Sequence, residues 1–291
     1  MGSASRSDPV PRSLVWATDL DVLPPDRQVL RRPGYVVIRS PSNPTHYWGN
    51  ALLFDDPPTL GDRARWEDLF RAEFADQPAT EHLTFGWDRT DGEVGAADTE
   101  FVARGYDLER NVGLLALATA IRPHPRANRE VQVRALDPQP GADAQLWDEV
   151  IELQVAGRDP GRFAEEPHRH FTRSRLDDLR TLFCAGRGAW YVAVAPGAGV
   201  VGSLGIVVTG TRGRFQAVDT AASHRRRGIC SRLVVDAARD AVVRHGARRL
   251  VIVADPDYHA IGIYESLGFT RAERSAGVCL APAAERPPNA D

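Results

Sequence analysis

No lysine occurs among the 291 residues; all 36 basic side chains are arginine. A GC-rich coding sequence accounts for most of that bias. Its chemical consequence is that no ε-amine is available to form a Schiff base or to become acylated by the chain itself. Cysteine is scarce as well. Cys184, Cys230 and Cys279 are odd in number and widely spaced, which excludes a disulfide framework and a cysteine-based zinc site. No apolar run approaches the length of a membrane span, so no membrane partner is expected. The N-terminus lacks the basic, apolar, small-residue order of a signal peptide. A net charge of -3 argues against general nucleic-acid binding. The expectation is a soluble cytoplasmic protein, monomeric or homodimeric, with enough chain for two domains.

Proline and charge place the boundaries. Residues 1–14 and 282–291 are polar and Pro-rich and are expected to be flexible ends. Two prolines and several charges within 121–128 interrupt both helix and strand patterns, giving domains over 15–122 and 131–281 with a linker at 123–130. In the second domain, apolar periodicity predicts a strand at 131–136 and helices at 142–156 and 171–183. Three strands follow at 189–194, 200–208 and 214–218, then a helix at 228–244 and a central strand at 250–253. Asp255-Pro256-Asp257 offers N-cap chemistry to a short helix through Leu267, and a strand pair at 270–274 and 277–281 ends the domain. The first domain has strands at 35–39, 47–54, 82–87 and 112–117, with helices at 62–74 and 97–105. Phe101-Val102-Ala103-Arg104-Gly105-Tyr106 echoes Tyr264-Glu265-Ser266-Leu267-Gly268-Phe269. The chain therefore reads as an α/β protein with two copies of one fold, the first degenerate.

Arg225-Arg226-Arg227-Gly228-Ile229-Cys230 lies between a strand and a well-marked helix. Glycine lets backbone amides approach an anion closely, and a helix start supplies unpaired N–H groups. Three guanidinium groups add charge and bidentate geometry suited to a pyrophosphate. A solvated arginine run that happens to open a helix is the alternative reading of the six residues alone. The segment 215–269 resembles the GNAT superfamily of N-acetyltransferases. That family's Arg/Gln-x-x-Gly-x-Gly/Ala loop is matched by Arg225, Gly228 and Cys230, and Cys230 departs from it by its size. The resemblance implies a mixed-sheet acyl-CoA N-acyltransferase fold in two tandem GNAT-like domains, with acetyl-CoA or another acyl-CoA as co-substrate and no metal. It implies that the loop from Arg225 through Ser231 holds the coenzyme pyrophosphate, and that Val218, Asp219 and Thr220, on a splayed strand, pair with the pantetheine arm.

The family's second signature is matched by Asp257, Ala260, Tyr264, Gly268 and Phe269. By that resemblance Tyr264 protonates the departing thiolate; by its helical stripe with Ala260, Ile263 and Leu267 it is equally a core aromatic. Asp257 caps the helix, contacts the coenzyme arm, or both. Asp219 is the candidate base nearest the thioester. Glu165, Glu166, His168 and His170 are placed in the connection between the first two helices, where the family shapes its acceptor pocket; each is also a plausible surface residue of a polar loop. Their spacing completes no metal-ligand pattern. A thiol at a helix start has a lowered pKa, so Cys230 has a catalytic reading, ranked below packing.

In the first domain, the Asp55-Asp56-Pro57-Pro58 turn repels phosphate and removes amide donors, so no coenzyme is expected there. Trp48, Trp66 and Trp87 are expected in the core or at a domain interface. The activity implied is acetyl transfer from acetyl-CoA to a primary amine of a small molecule or peptide, by direct attack in a ternary complex. The alternatives are another acyl-CoA or an aminoacyl donor, an oxygen acceptor, or a non-catalytic acyl-CoA-binding regulator.

Overall fold

The computed structural model describes residues 10–161, 163–257 and 260–282; most of both expected flexible ends, 1–9 and 283–291, lies outside the described residues. In chain order the first half contains α1 (Leu14–Asp21), β1 (Gln28–Arg32), β2 (Tyr35–Arg39), β3 (Ala51–Phe54), α2 (Asp62–Glu73), β4 (Leu83–Trp87), α3 (Ala97–Glu100) and β5 (Asp107–Leu117). The second contains β6 (Gln132–Ala135), α4 (Ala144–Gly157), α5 (Glu165–Cys184), β7 (Gly188–Ala195), β8 (Gly199–Thr209), β9 (Arg212–Thr220), α6 (Ile229–His245), β10 (Arg249–Ala254), α7 (Ile261–Ser266) and β11 (Thr270–Leu280).

These elements form two compact units, and the units do not coincide with the halves of the sequence. One takes the chain up to Asn111 together with the chain from Glu273 on; the other is Val112–Ala272. In the first unit, β1, β2 and β3 are successively antiparallel, β3 runs parallel to β4, and β11 closes the sheet antiparallel to β4. In the second, β6, β7, β8 and β9 are successively antiparallel, β9 runs parallel to β10, and residues 112–117 of β5 close the sheet antiparallel to β10. The strand order around the parallel pair is the same in both. Each unit is closed by a strand from the other half of the sequence.

Local chemistry explains most of the elements. Ser13 caps α1 by accepting the Trp16 amide at 3.3 Å, a helix absent from the sequence reading, as is β1. Both α6 caps are left-handed glycines, Gly228 (φ 74°) and Gly246 (φ 69°). Its buried face carries Ile229, Leu233, Ala237 and Ala241 against the sheet. The first unit is packed by aromatics: Trp66 stacks on Phe54 at 3.7 Å and lies edge-on to Phe85. Trp66 and Trp87 are both fully buried, as a core reading requires, and Trp48 is half-buried against Trp16.

Several boundaries differ from expectation. The expected helix at 171–183 begins six residues earlier, at Glu165. The expected strand pair at the C-terminus is one strand, β11. The helix expected at 97–105 is α3 followed by a 3-10 turn at Val102–Arg104. There the motif echo is reproduced in hydrogen bonds. The Tyr106 amide donates to the Phe101 carbonyl and the Gly105 amide to Val102, while the Phe269 amide donates to Tyr264 and the Gly268 amide to Glu265. Gly105 (φ 85°) and Gly268 (φ 110°) take the matching positive-φ position.

Candidate functional site

The site is built where two parallel strands part. β9 stays paired with β8 as far as Gly202 opposite Thr220, but it pairs with β10 only through Arg212, Gly213 and Arg214. Beyond Arg214 the two strands lose contact, leaving backbone donors and acceptors of residues 215–220 without a β10 partner. A bulge accompanies the divergence. Gly205 faces Gln216 and Ser203 faces Asp219, so Ala217 and Val218 together oppose Leu204, with Ala217 at φ 41°. Bulges of this kind bend a strand and re-aim the side chains after it. Here the residues after it are Val218, Asp219 and Thr220.

The chain then enters a 3-10 turn at Ala222–His224 and reaches Arg225, Arg226 and Arg227, all exposed. Arg225 Nε donates to the Thr220 carbonyl at 3.2 Å. Arg226 (φ 61°) and Gly228 (φ 74°) both take the left-handed conformation. Among the described residues, no backbone carbonyl accepts the amides of Arg226, Arg227 or Gly228. The first amides of α6, from Ile229, Cys230 and Ser231, are also without intrahelical acceptors, as at any helix start. The Ile229 and Ser231 side chains are buried beneath this turn. Charge, open amides and the helix dipole thus converge on one face, an arrangement suited to a phosphate.

Asp219 sits beside this turn. Burial raises its carboxyl above the ordinary range, against the Thr220 amide, which donates to Oδ1 at 2.7 Å, and the charge of Arg225. Gly157, at the end of α4, closes over it: a Cβ at that position would lie 2.7 Å from Asp219 Oδ2. The Cys230 thiol is pushed up to about 12, by burial first and by Asp219 second. The lowered thiol expected at a helix start is therefore corrected, because desolvation outweighs the helix dipole. At neutral pH Cys230 is a packed thiol.

Tyr264 lies on α7, 3% exposed, its ring edge-on to Phe269 at 6.4 Å. Ala260 occupies the N-cap of α7. Asp257 does not cap the helix; instead its amide donates to Asp255 Oδ1 at 2.8 Å in an Asx turn, and residues 258–259 lie outside the described residues. Glu165, Glu166, His168 and His170 are not in a connection but on the first turns of α5. Glu165 is held by Arg158 at 2.9 Å and by Arg169 at 3.0 Å, and Glu166 also pairs with Arg169. His168, flanked by Phe163 and Phe171, is lowered by burial and by Arg158, and is neutral at neutral pH. No metal-binding group of His, Cys, Asp and Glu occurs among the described residues.

The chain between the two halves of the sequence takes part in the second unit, which the sequence reading missed. The Arg122 amide donates to the Leu267 carbonyl at 3.1 Å, and a Cβ on Gly268 would meet the Ala120 carbonyl at 2.3 Å. A Cβ on Gly228 would meet the Arg126 carbonyl at 2.0 Å. At the glycines of both signatures, this segment's backbone thus leaves no room for a side chain. Asn-x-x at 128–131, an Asx turn, was the available signal: Asn128 Oδ1 accepts the amides of Glu130 and Val131.

The matching place in the first unit differs in each respect. β3 pairs with β4 through Leu52, Leu53 and Phe54, to its last residue, so the strands do not part. Gly61 (φ 89°) caps α2 as Gly228 caps α6, but the Asp62 carboxylate accepts both the amide and the hydroxyl of Thr59, each at 2.8 Å. That helix start carries an anion of its own, whose charge opposes a phosphate there. Phe101, without a hydroxyl, stands where the second copy has Tyr264.

Residues 147–269 match the acetyltransferase (GNAT) family. Among curated proteins no sequence relative matches the chain. Solved structures are similar along most of its length. A conserved protein of unknown function from Staphylococcus epidermidis has a TM-score of 0.69 at 15% identity, over 88% of this chain and 94% of that one. A GCN5-related N-acetyltransferase from Kribbella flavida has a TM-score of 0.59 at 16% identity, over 91% and 94%. A tandem GNAT protein from the clavulanic acid biosynthesis pathway has a TM-score of 0.50 at 15% identity, over 96% and 91%. The parted strands, the arginine-rich turn and the short helix after β10 all fall within the matched segment, and residues 147–269 are an acetyltransferase domain of the GNAT family, in a chain that shares its fold with GNAT proteins, a tandem one among them.

Proposed function

We propose that the second unit transfers an acetyl group from acetyl-CoA to a primary amine, by direct attack and with no covalent enzyme intermediate. The observation that carries this reading is the gap between β9 and β10, with the unpaired amides of Arg226–Gly228 at its open end. Residues 218–220 offer strand-like pairing to the amide-bearing pantetheine arm, and the turn from Arg225 through Ser231 offers amides and charge to the pyrophosphate. In the transfer, the amine nitrogen bonds to the acetyl carbon and the carbon–sulfur bond breaks. The Tyr264 hydroxyl gives a proton to the departing sulfur, and the Asp219 carboxylate takes the proton released by nitrogen. The acceptor is a small molecule or peptide amine.

Two measurements test this. The first is thiol release from acetyl-CoA across a panel of amines, with Arg225, Arg226 and Arg227 replaced together by alanine. The variant is expected to raise KM for acetyl-CoA at least about tenfold and leave kcat within about twofold, since phosphate contacts far from the carbonyl hold ground state and transition state alike. An unchanged KM removes the phosphate assignment, and coenzyme binding without any thiol release favours a regulatory binder.

The second is a pH profile. A base works only when ionised, so kcat/KM should rise with pH through the Asp219 pKa. Burial places that acidic limb above the ordinary aspartate value of about 4. Asp219→Asn should abolish the limb along with most of the activity. A limb that persists in the asparagine variant assigns the base to another group.

A further inference from the structure

Asn128 uses every polar group it has, on the turn that precedes α6, on α6 itself and on its own Asx turn. Its side-chain Nδ2 donates to the Arg227 carbonyl at 3.0 Å, and its backbone amide donates to the Gly228 carbonyl at 3.1 Å. Its own carbonyl accepts from Arg232 Nη1 at 3.4 Å, and Arg232 is in turn paired with Asp236 on α6. Oδ1 holds the amides of Glu130 and Val131, fixing the residue at the start of β6.

The geometry has a directional effect. In a planar trans peptide the N–H points opposite to the C=O. Holding the Arg227 carbonyl toward Asn128 therefore aims the Gly228 amide away from it, and holding the Gly228 carbonyl does the same for the Ile229 amide. The Gly228 carbonyl also accepts the Arg232 amide at 3.1 Å, the first bond of α6, so Asn128 reinforces a direction the helix already sets there. The Arg227 carbonyl is held by Asn128 Nδ2, next to a glycine that resists neither sign of φ. The Arg126 carbonyl, packed where a Gly228 side chain would be, keeps Asn128 in reach.

We propose that Asn128 is a positioning residue for coenzyme binding, locking the Gly228 amide in the orientation that a pyrophosphate needs; this rests on the phosphate reading of the turn. The segment between the two halves of the sequence is then part of the binding machinery. It holds the carbonyls of the turn, while the arginines supply its charge.

The test is Asn128→Ala in the full-length protein, read by calorimetric titration with coenzyme A and by kinetics with two donors, acetyl-CoA and acetyl-pantetheine, which has no pyrophosphate. Affinity for coenzyme A is expected to fall about tenfold and KM for acetyl-CoA to rise about as much, with kcat within about twofold. Turnover of acetyl-pantetheine should be unchanged. Asn128→Ser keeps an acceptor for the Glu130 and Val131 amides, but its hydroxyl is one bond shorter than the Asn amide and does not replace Nδ2 at the Arg227 carbonyl, so it should show the same split even where the alanine variant folds poorly. Unchanged coenzyme A affinity in either folded variant overturns the assignment, and so does an equal loss with both donors, which is the signature of general damage. A wild-type protein without affinity for coenzyme A overturns the phosphate reading itself, an outcome distinct from the other two.

Discussion

A chain starting at residue 123, where the sequence alone divides the protein, is expected to be insoluble or to melt without cooperativity. It lacks residues 112–117, which pair with β10 along its whole length and bury Val112, Leu114 and Ala116. Burial of those side chains is worth about 5 kcal/mol together, a large share of the 5–15 kcal/mol that holds a typical domain. Their loss also leaves β10 as an unprotected edge. The same chain still carries β11, whose partner β4 is absent, with Ala276 and Val278 seeking a core that is not there. A chain spanning 107–272 keeps the closing strand of the second unit and omits the stray one, and should be soluble and melt cooperatively. Circular dichroism melts and gel filtration of the two fragments decide the matter. A cooperative, monomeric 123–291 fragment would show that the closing strand is dispensable.

Tyr264→Phe is expected to lower kcat about 100-fold and change KM for acetyl-CoA little. A positioned acid typically contributes 10²–10⁴-fold, and the substitution removes only the hydroxyl. The ring remains, edge-on to Phe269 and 3% exposed, so the fold should tolerate the change. The first copy already carries a phenylalanine at the matching position, packed edge-on to Tyr106 at 5.1 Å. Steady-state kinetics with a melting curve on the same sample separates chemistry from stability. A kcat within twofold of the parent would leave Tyr264 as a core aromatic.

How much of this was legible depended on whether a feature is local. Helix α6 announced itself through its two glycine caps and its apolar stripe, and the Arg225–Cys230 turn through residue types alone. The echo between 101–106 and 264–269 was legible because the same short hydrogen-bond pattern demands glycine at the same place. The start of α5 is ambiguous in sequence: Glu165-Glu166-Pro167 is first-turn chemistry, with acids favoured by the dipole and proline tolerated, but the same charges and proline also fit a polar connection. At Cys230 the buried thiol agrees with the packing reading; the lowered pKa of the catalytic reading fails, because a sequence shows a helix start and not the burial that opposes its field. The closing strands were out of reach altogether. Residues 112–117 and 273–280 are apolar or alternating runs with no mark of their partner, and pairing between distant strands is not encoded in either one.

The exchanged strands also impose an order on synthesis. β4 is complete at Trp87, but its partner in β11 pairs Gly277 with Gly86, nearly two hundred residues later. At ribosomal rates of about 5–20 residues per second, the first unit waits roughly 10–40 seconds with an open sheet edge. The second unit has its β5 strand in hand before its own first strand is made. The half of the gene translated first is therefore the half that finishes folding last, and a ribosome stalled before codon 273 would release a chain in which the GNAT-family unit is whole and the other is not.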